Sequence, residues 1–352
     1  MEITEFRKVY EDSRKSTSVF DQAIPLINKT PFSLNRYLFR YLAGDISLRE
    51  ARSVSRKRLA LAESNLPSQD RDAQKLVRQI ESYEQAYLYL KGCETITLEA
   101  LCKTNQLAEP NKKGTGTLRT GAIWIGGKTN RSNYVPPQAR KVKPLVDDLI
   151  CFINDDAHEN DYAKACAAHA QLVAIHPFVD GNGRVARILW QVIAEKSGQQ
   201  FIPPFIYRLH NPSSQYIRAI SAYGIESRQG IGHTFWSESF LWGEHLKGKI
   251  NLAIEQCQKK IEPNIPLLNI PHRTKEIIAS FWRKPIQNPL TQTKDTGVNF
   301  FNTQDQLNIF FQNGTLALRN VRYPEGGVVI ECNPITNLFN EIEGMIFSKN
   351  EG

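Results

Sequence analysis

The residues best suited to chemistry stand in one run, His176-Pro177-Phe178-Val179-Asp180-Gly181-Asn182-Gly183-Arg184-Val185-Ala186-Arg187. Histidine exchanges a proton near neutral pH, so His176 can serve as a general base. Asp180 is a hard oxygen donor of the kind Mg²⁺ takes. Gly181 and Gly183 flank Asn182 and let backbone N–H groups approach a ligand with no side chain in the way. Arg184 and Arg187 are three apart, so on a helix they share a face. Their guanidinium groups bind phosphate oxygens through a planar fork of donors. Singly, each has a duller reading: a capped surface histidine, an Asp-Gly turn, arginines facing solvent. Together they describe a site that holds phosphate and moves a proton.

Such residues need a frame. The alanine-rich stretch 161–174 reads as a buried helix, and Pro177 cannot continue it. Val185, Ile188, Leu189, Val192 and Ile193 recur at helical spacing over 184–196. The frame is therefore helix, glycine-rich loop, helix. A loop that ends at a helix start presents unpaired N–H groups and the positive end of the dipole, which together cradle an anion. It is not a Walker loop, because no Gly-Lys-Ser/Thr follows, and it is not a dinucleotide fingerprint, because a helix leads into it.

The complete run His176 to Arg187 resembles the active-site motif of Fic proteins, with every fixed position filled. Most of that family transfers AMP from ATP to a protein hydroxyl. The resemblance implies that His176 deprotonates the target hydroxyl and that Gly181, Asn182 and Gly183 hold the α-phosphate. It implies that Asp180 carries Mg²⁺ and that Arg184 and Arg187 grip the β- and γ-phosphates. Phe178 would anchor the loop in the core, and pyrophosphate would leave. ATP is then the co-substrate. Two other readings stay open: a sister enzyme that transfers phosphocholine, UMP or phosphate, and a nucleotide-sensing regulator that binds DNA.

Upstream, Ile123-Trp124-Ile125-Gly126-Gly127 and Tyr134-Val135-Pro136-Pro137 read as two extended runs around a bend, a hairpin near 118–137. In Fic proteins a flap at this place pairs with an extended segment of the target, and strand addition tolerates varied sequences. Ile123, Trp124 and Ile125 are the flap candidates, and the partner is the hydroxyl-bearing target or the protein itself. Downstream, Asn211 and Tyr216 fall where family members contact adenine or ribose.

Fic proteins commonly restrain themselves with a glutamate from an inhibitory helix. Here Glu50, in Ile46-Ser47-Leu48-Arg49-Glu50-Ala51, is the candidate. It departs from the family pattern at Ile46 and Ala51, and Ser47 with Glu50 also matches a helix capping box.

The fold class expected is mainly α: a Fic-type helical core with a small β-hairpin flap, plus a C-terminal winged-helix-like α+β domain. Residues 1–92 form an N-terminal helical region, with helices over 47–62 and 72–90 and Tyr83, Tyr87 and Leu90 in the core. Residues 93–262 form the catalytic core, with further helices over 211–222 and 236–253. The proline-containing stretch 262–271 is a linker. Residues 263–352 carry a helix near 274–282, polar turns, a helix over 303–312 and a hairpin from 316–323 and 328–332. A winged helix often binds DNA, but Thr303-Gln304-Asp305-Gln306 is not a phosphate-gripping face. Homodimer formation or target docking suits this domain at least as well.

The chain has 352 residues, enough for more than one domain. Its formal charge of +8 suits ATP or an acidic partner, and equally weak nucleic-acid affinity. No apolar run is long enough to span a bilayer, which speaks against a membrane partner. The acidic start Met1-Glu2-Ile3-Thr4-Glu5 lacks a signal-peptide pattern, which places the protein in the cytoplasm. The six cysteines form no Cys-x-x-Cys pair and read as reduced and structural, with no zinc site.

Overall fold

The computed structural model describes residues 32–44, 54–64, 70–125, 134–155, 160–196, 198–209, 213–222, 229–261, 272–321 and 327–347. Glu50, Asn211 and the flap tip at 126–133 lie outside them, as does the linker 262–271. In chain order the helices begin with α1 Leu34–Leu42, α2 Arg56–Glu63, α3 Arg71–Lys91, α4 Leu98–Ala108, α5 Ala139–Asn154 and α6 Asp161–Ile175. They continue with α7 Asn182–Ala194, α8 Pro204–Tyr207, α9 Ser213–Ala222, α10 Gln229–Ile261 and α11 His272–Phe281. Then come β1 Ile286–Gln287, α12 Pro289–Thr296, α13 Gln304–Gln312, β2 Leu316–Val321, β3 Gly327–Cys332 and α14 Asn333–Phe347. The chain is mainly helical, as its sequence implies, and the sheet is small. Two compact units share the chain: 81–245 with 1–25, and 26–80 with 246–352.

The first unit is built on α6 and α7. Ala163, Ala165, Ala167, Ala168 and Ala170 of α6 are all buried. Small side chains shorten the distance between helix axes, so α7 can set Val185, Ile188, Leu189, Trp190 and Ile193 into the core. Trp190 Nε1 donates to Cys166 Sγ at 3.3 Å, which gives the buried indole its polar partner. The C-terminal half of α3 packs here too. Tyr83 donates to Gln191 Oε1 (2.9 Å) and Tyr87 to Glu195 Oε2 (2.6 Å). The spacing of these tyrosines points to core packing, and both are buried. Two helices, α4 and α5, were not legible in the sequence. Thr97 starts α4 by accepting from the Ala100 N–H, and α5 carries Pro144 in its interior.

Five further features differ from the sequence reading. Helix α2 starts at Arg56, inside the helix expected over 47–62, because extended Ser55 caps it by accepting from the Arg58 N–H. Helix α7 starts at Asn182 rather than 184, because Gly181 takes φ 81° and acts as its N-cap. Helix α10 runs from 229 to 261, beyond the expected 236–253. Polar turns were expected around 289–296, but Asn288 caps a helix there. Its side chain accepts from the Leu290 N–H, Pro289 sits in the first turn, and Gly297 (φ 68°) closes the far end. Of the hairpin expected near 118–137, the described residues show a single antiparallel bridge, Ile125 to Tyr134.

In the second unit, the strands stand in the order β1-β3-β2, all antiparallel, with Ile286 opposite Glu331 and Leu316 opposite Cys332. Helix α14, also missed by the sequence reading, buries Ile335, Leu338, Phe339, Ile342 and Ile346. The Tyr37 hydroxyl donates to the Phe339 carbonyl at 2.9 Å, and Arg36 pairs with Glu63 at 3.1 Å. All six cysteines are free thiols. Among the described residues, no helix is long and apolar enough to cross a membrane.

Candidate active site

The loop between α6 and α7 is held from inside. Asn182 spends its whole side chain on it: Oδ1 accepts from the Phe178 N–H and Nδ2 donates to the Phe178 carbonyl, both at 2.8 Å. Phe178 itself is buried, as an anchor should be. Asp180 Oδ1 accepts from the Gly181 N–H at 2.7 Å. The first intrahelical bond of α7 runs from Val185 N to Gly181 O. Helix geometry therefore leaves the amides of Asn182 and Gly183 without intrahelical acceptors, facing the loop at the positive end of the helix.

Gly181 has no alternative at its position. A Cβ there would lie 2.7 Å from Glu109 Cγ and 2.8 Å from Asn105 Nδ2, on a backbone already at φ 81°. Here the glycine permits both a left-handed bend and a close approach.

His176 ends α6 in a left-handed conformation, φ 51° and ψ 60°, the single non-glycine positive φ among the described residues. That conformation costs a β-carbon residue on the order of 1–2 kcal/mol, and strain of this kind gathers at functional sites. Its Nδ1 lies 3.2 Å from the Val173 carbonyl. A carbonyl can only accept, so Nδ1 carries the proton and Nε2 carries the lone pair. Burial pushes the His176 pKa below the ordinary histidine value, with the Val173 hydrogen bond opposing. The ring is therefore neutral, and a base, at neutral pH.

Asp180 is half exposed, and its Oδ2 lies 3.2 Å from Lys112 Nζ. An exposed pair of this kind contributes little stability, so the carboxylate can exchange partners readily. Among the described residues there is no cluster of three His, Cys, Asp or Glu. Mg²⁺ commonly takes one or two carboxylates and completes its shell with phosphate oxygens and water. A single exposed carboxylate beside a phosphate cradle fits that habit.

Both motif arginines sit on α7. Arg187 is buried at 6% exposure. Arg184 is paired with Glu109, which caps the C-terminal end of α4. Tyr216, expected on the nucleotide side, is buried, and its hydroxyl lies 2.7 Å from His169 Nε2 while Arg208 stacks over its ring. Ile123 and Ile125 are half buried, and Trp124 is exposed at 44%.

Three residues of this site escaped the sequence reading. Arg119 is buried, and its side chain donates to the carbonyls of His176, Ile175, Gly121 and Pro137, while its own N–H donates to Pro177 O. It ties the base of the flap to the loop that carries the histidine. Asn105 and Glu109 reach the loop from α4. The partners lie 57 positions away for Arg119 and 75 for Asn105, beyond the reach of local patterns. The one local signal for Arg119 is a lone basic residue just before the flap. Arg119→Met keeps the bulk and loses these donors, so we expect a lower melting temperature and faster amide exchange at 175–177; unchanged exchange there would mean that Arg119 does not hold the loop.

The sequence model of the Fic/DOC family matches residues 95–194. The protein adenylyltransferase fic-1 of Caenorhabditis elegans is 31% identical over 103 residues, 29% of this chain and 18% of that protein. The protein adenylyltransferase Fic of Drosophila melanogaster is 31% identical over 105 residues, 29% of this chain and 19% of that protein. The match thus spans under a fifth of the length of either relative. Among solved structures, a Fic family protein from Desulfovibrio desulfuricans G20 aligns with a TM-score of 0.50 at 16% identity, over 94% of this chain and 95% of that one. At that identity the likeness speaks for the fold alone. The motif at 176–187 and the α6–loop–α7 frame fall inside the range 95–194, the part of this chain that matches the Fic/DOC family.

Proposed function

We propose that this protein is a protein adenylyltransferase that moves AMP from ATP to a side-chain hydroxyl of a target protein or of itself. The observation that carries the reading is His176 itself, its Nδ1 committed to the Val173 carbonyl and its Nε2 left unprotonated, on the loop that leads into the start of α7. The similarity to adenylyltransferases over the same residues supports ATP as the donor.

In this reading the amides of Asn182 and Gly183 receive the α-phosphate, and the α7 dipole adds to the attraction. Arg184 and Arg187 meet the β- and γ-phosphates. The target lies along the flap at Ile123, Trp124 and Ile125, paired through backbone bonds. Its hydroxyl oxygen attacks the α-phosphorus, the hydroxyl proton passes to His176 Nε2, and the bond to the β-phosphate breaks, releasing pyrophosphate. Asp180 would hold Mg²⁺, which neutralises charge on the phosphates when bound. Tyr216 and Asn211 stand as proposed neighbours of the nucleoside.

Two expectations follow from these assignments. Asp180→Ala, or wild type in EDTA, should lose transfer by about 100-fold or more, the scale of losing an electrostatic stabiliser. Transfer that persists in metal-free buffer would remove Asp180 from this role. The pH profile follows His176. Its pKa is lowered, so the rate should stay level from pH 8 down through neutrality and reach half its plateau below about pH 6.5, the unperturbed value. A midpoint above that value would mean that another group supplies the base.

For residues 263–352 the winged-helix reading is a proposal supported by the order helix, strand, two helices, hairpin. Helix α13, Gln304–Gln312, carries Asp305 and no lysine or arginine, which favours docking of a protein or a second copy over DNA.

A further inference from the structure

We infer that Glu109 is a positioning residue for the phosphate site, fixing Arg184 so that its guanidinium meets the phosphate chain of the nucleotide. The inference rests on the nucleotide-binding reading of the loop and extends it to a helix outside the motif. Glu109 closes α4, and its carboxylate pairs with Arg184 Nη1. Both side chains are largely buried, with 8% of Glu109 and 15% of Arg184 exposed. A buried ion pair of this kind fixes geometry more surely than it adds stability. The carboxylate cannot drift away, because α4 is bound to the loop next to it. Asn105 is fully buried, with Nδ2 donating to the Asp180 carbonyl (2.9 Å) and Oδ1 accepting from the Gly116 N–H (2.9 Å). Glu109 Cγ and Asn105 Nδ2 also form the wall that admits only hydrogen at Gly181. The end of α4 thus touches the loop at the Asp180 backbone carbonyl, at Gly181, which caps α7, and at Arg184, the first arginine. Arg184 stands in the first turn of α7, where a swinging side chain would reach solvent as easily as a ligand. Glu109 removes that freedom before the nucleotide arrives, which lowers the ordering cost of binding.

The test compares Glu109→Ala, Glu109→Gln, Arg184→Ala and the double variant Glu109→Ala/Arg184→Ala. ATP affinity is read by calorimetry, and kcat and KM for ATP are read from transfer. Thermal melts identify any variant that fails to fold, and Glu109→Gln keeps the shape and one acceptor oxygen if the alanine variant does not survive. We expect Glu109→Ala and Arg184→Ala each to weaken ATP binding about tenfold, with the change mainly in KM. The double variant should be no weaker than Arg184→Ala alone, because residues that act through one another are non-additive. Glu109→Gln should keep affinity within about threefold of wild type. Wild-type or tighter ATP binding by Glu109→Ala overturns the inference, the tighter result meaning that the pair blocks the phosphate seat. Additive losses in the double variant overturn it as well. A wild-type protein that binds ATP but transfers nothing would instead remove the transferase reading and leave this comparison of affinities intact.

Discussion

Replacing His176 by alanine should lower AMP transfer by about 10²–10⁴-fold, the usual cost of removing a positioned general base. The loss corresponds to about 3–5 kcal/mol of transition-state stabilisation. ATP affinity should stay close to wild type, because the ring is directed by Val173 and the proposed phosphate contacts are the α7 amides and the arginines rather than the histidine. The substitution also relieves little of the backbone, since alanine at φ 51° is strained as histidine is. The variant should therefore fold, and initial rates with labelled ATP can be compared at equal protein concentration. Near-normal transfer by this variant would end the case for His176.

The second large effect is expected from one added methyl group. Gly181→Ala places a Cβ 2.7 Å from Glu109 Cγ and 2.8 Å from Asn105 Nδ2. Neither neighbour can withdraw without cost, because Glu109 is paired with Arg184 and Asn105 is bonded at both ends of its amide. The loop must then move away from α4, and the amides of Asn182 and Gly183 move with it. A misplacement of about 1 Å at a reacting centre costs on the order of 10²-fold, so transfer and ATP binding should both fall by about that factor. Gly198→Ala is the control. It has the same left-handed backbone, φ 80°, but nothing lies within 4 Å of its Cβ. It should lose a little melting temperature and no activity. If both variants behaved alike, backbone strain alone would explain the result and the wall at α4 would have no part.

The site was legible where the chemistry is local. Pro177 had to end α6, Gly181 had to bend the chain, and the apolar spacing of Val185, Ile188 and Leu189 had to build α7, which also takes in Gly183. Every residue of the motif lies within that frame. The reading stopped where tertiary contacts decide. Helix α4 buries Thr104 and Asn105, polar residues that hide its apolar stripe, and α5 holds Pro144, which local propensity counts against a helix. Asn105, Glu109 and Arg119 act on partners far along the chain, so no spacing pattern marks them. Tyr216 was placed by resemblance alone, and its contact with buried His169, a histidine held neutral with its pKa pushed down by burial to about 3, has no signal in the local sequence. In the second unit the run Pro324-Glu325-Gly326-Gly327 marked the turn between the two runs whose strands β2 and β3 pair. Helix α12, however, needed the conjunction of Asn288, Pro289 and Gly297 to be read as cap, first turn and stop.

The central claim is that the α-phosphate and its adenosine move to a protein. The direct measurement is to incubate the protein and a lysate of potential targets with ATP labelled on the α-phosphate, and in parallel with ATP labelled on the γ-phosphate. Label on a protein band from the α-position, absent with γ-labelled ATP and absent in the His176→Ala variant, is the expected result. Label from the γ-position would mean phosphate transfer, and bound ATP with no labelled protein would mean sensing without chemistry; either result contradicts the account.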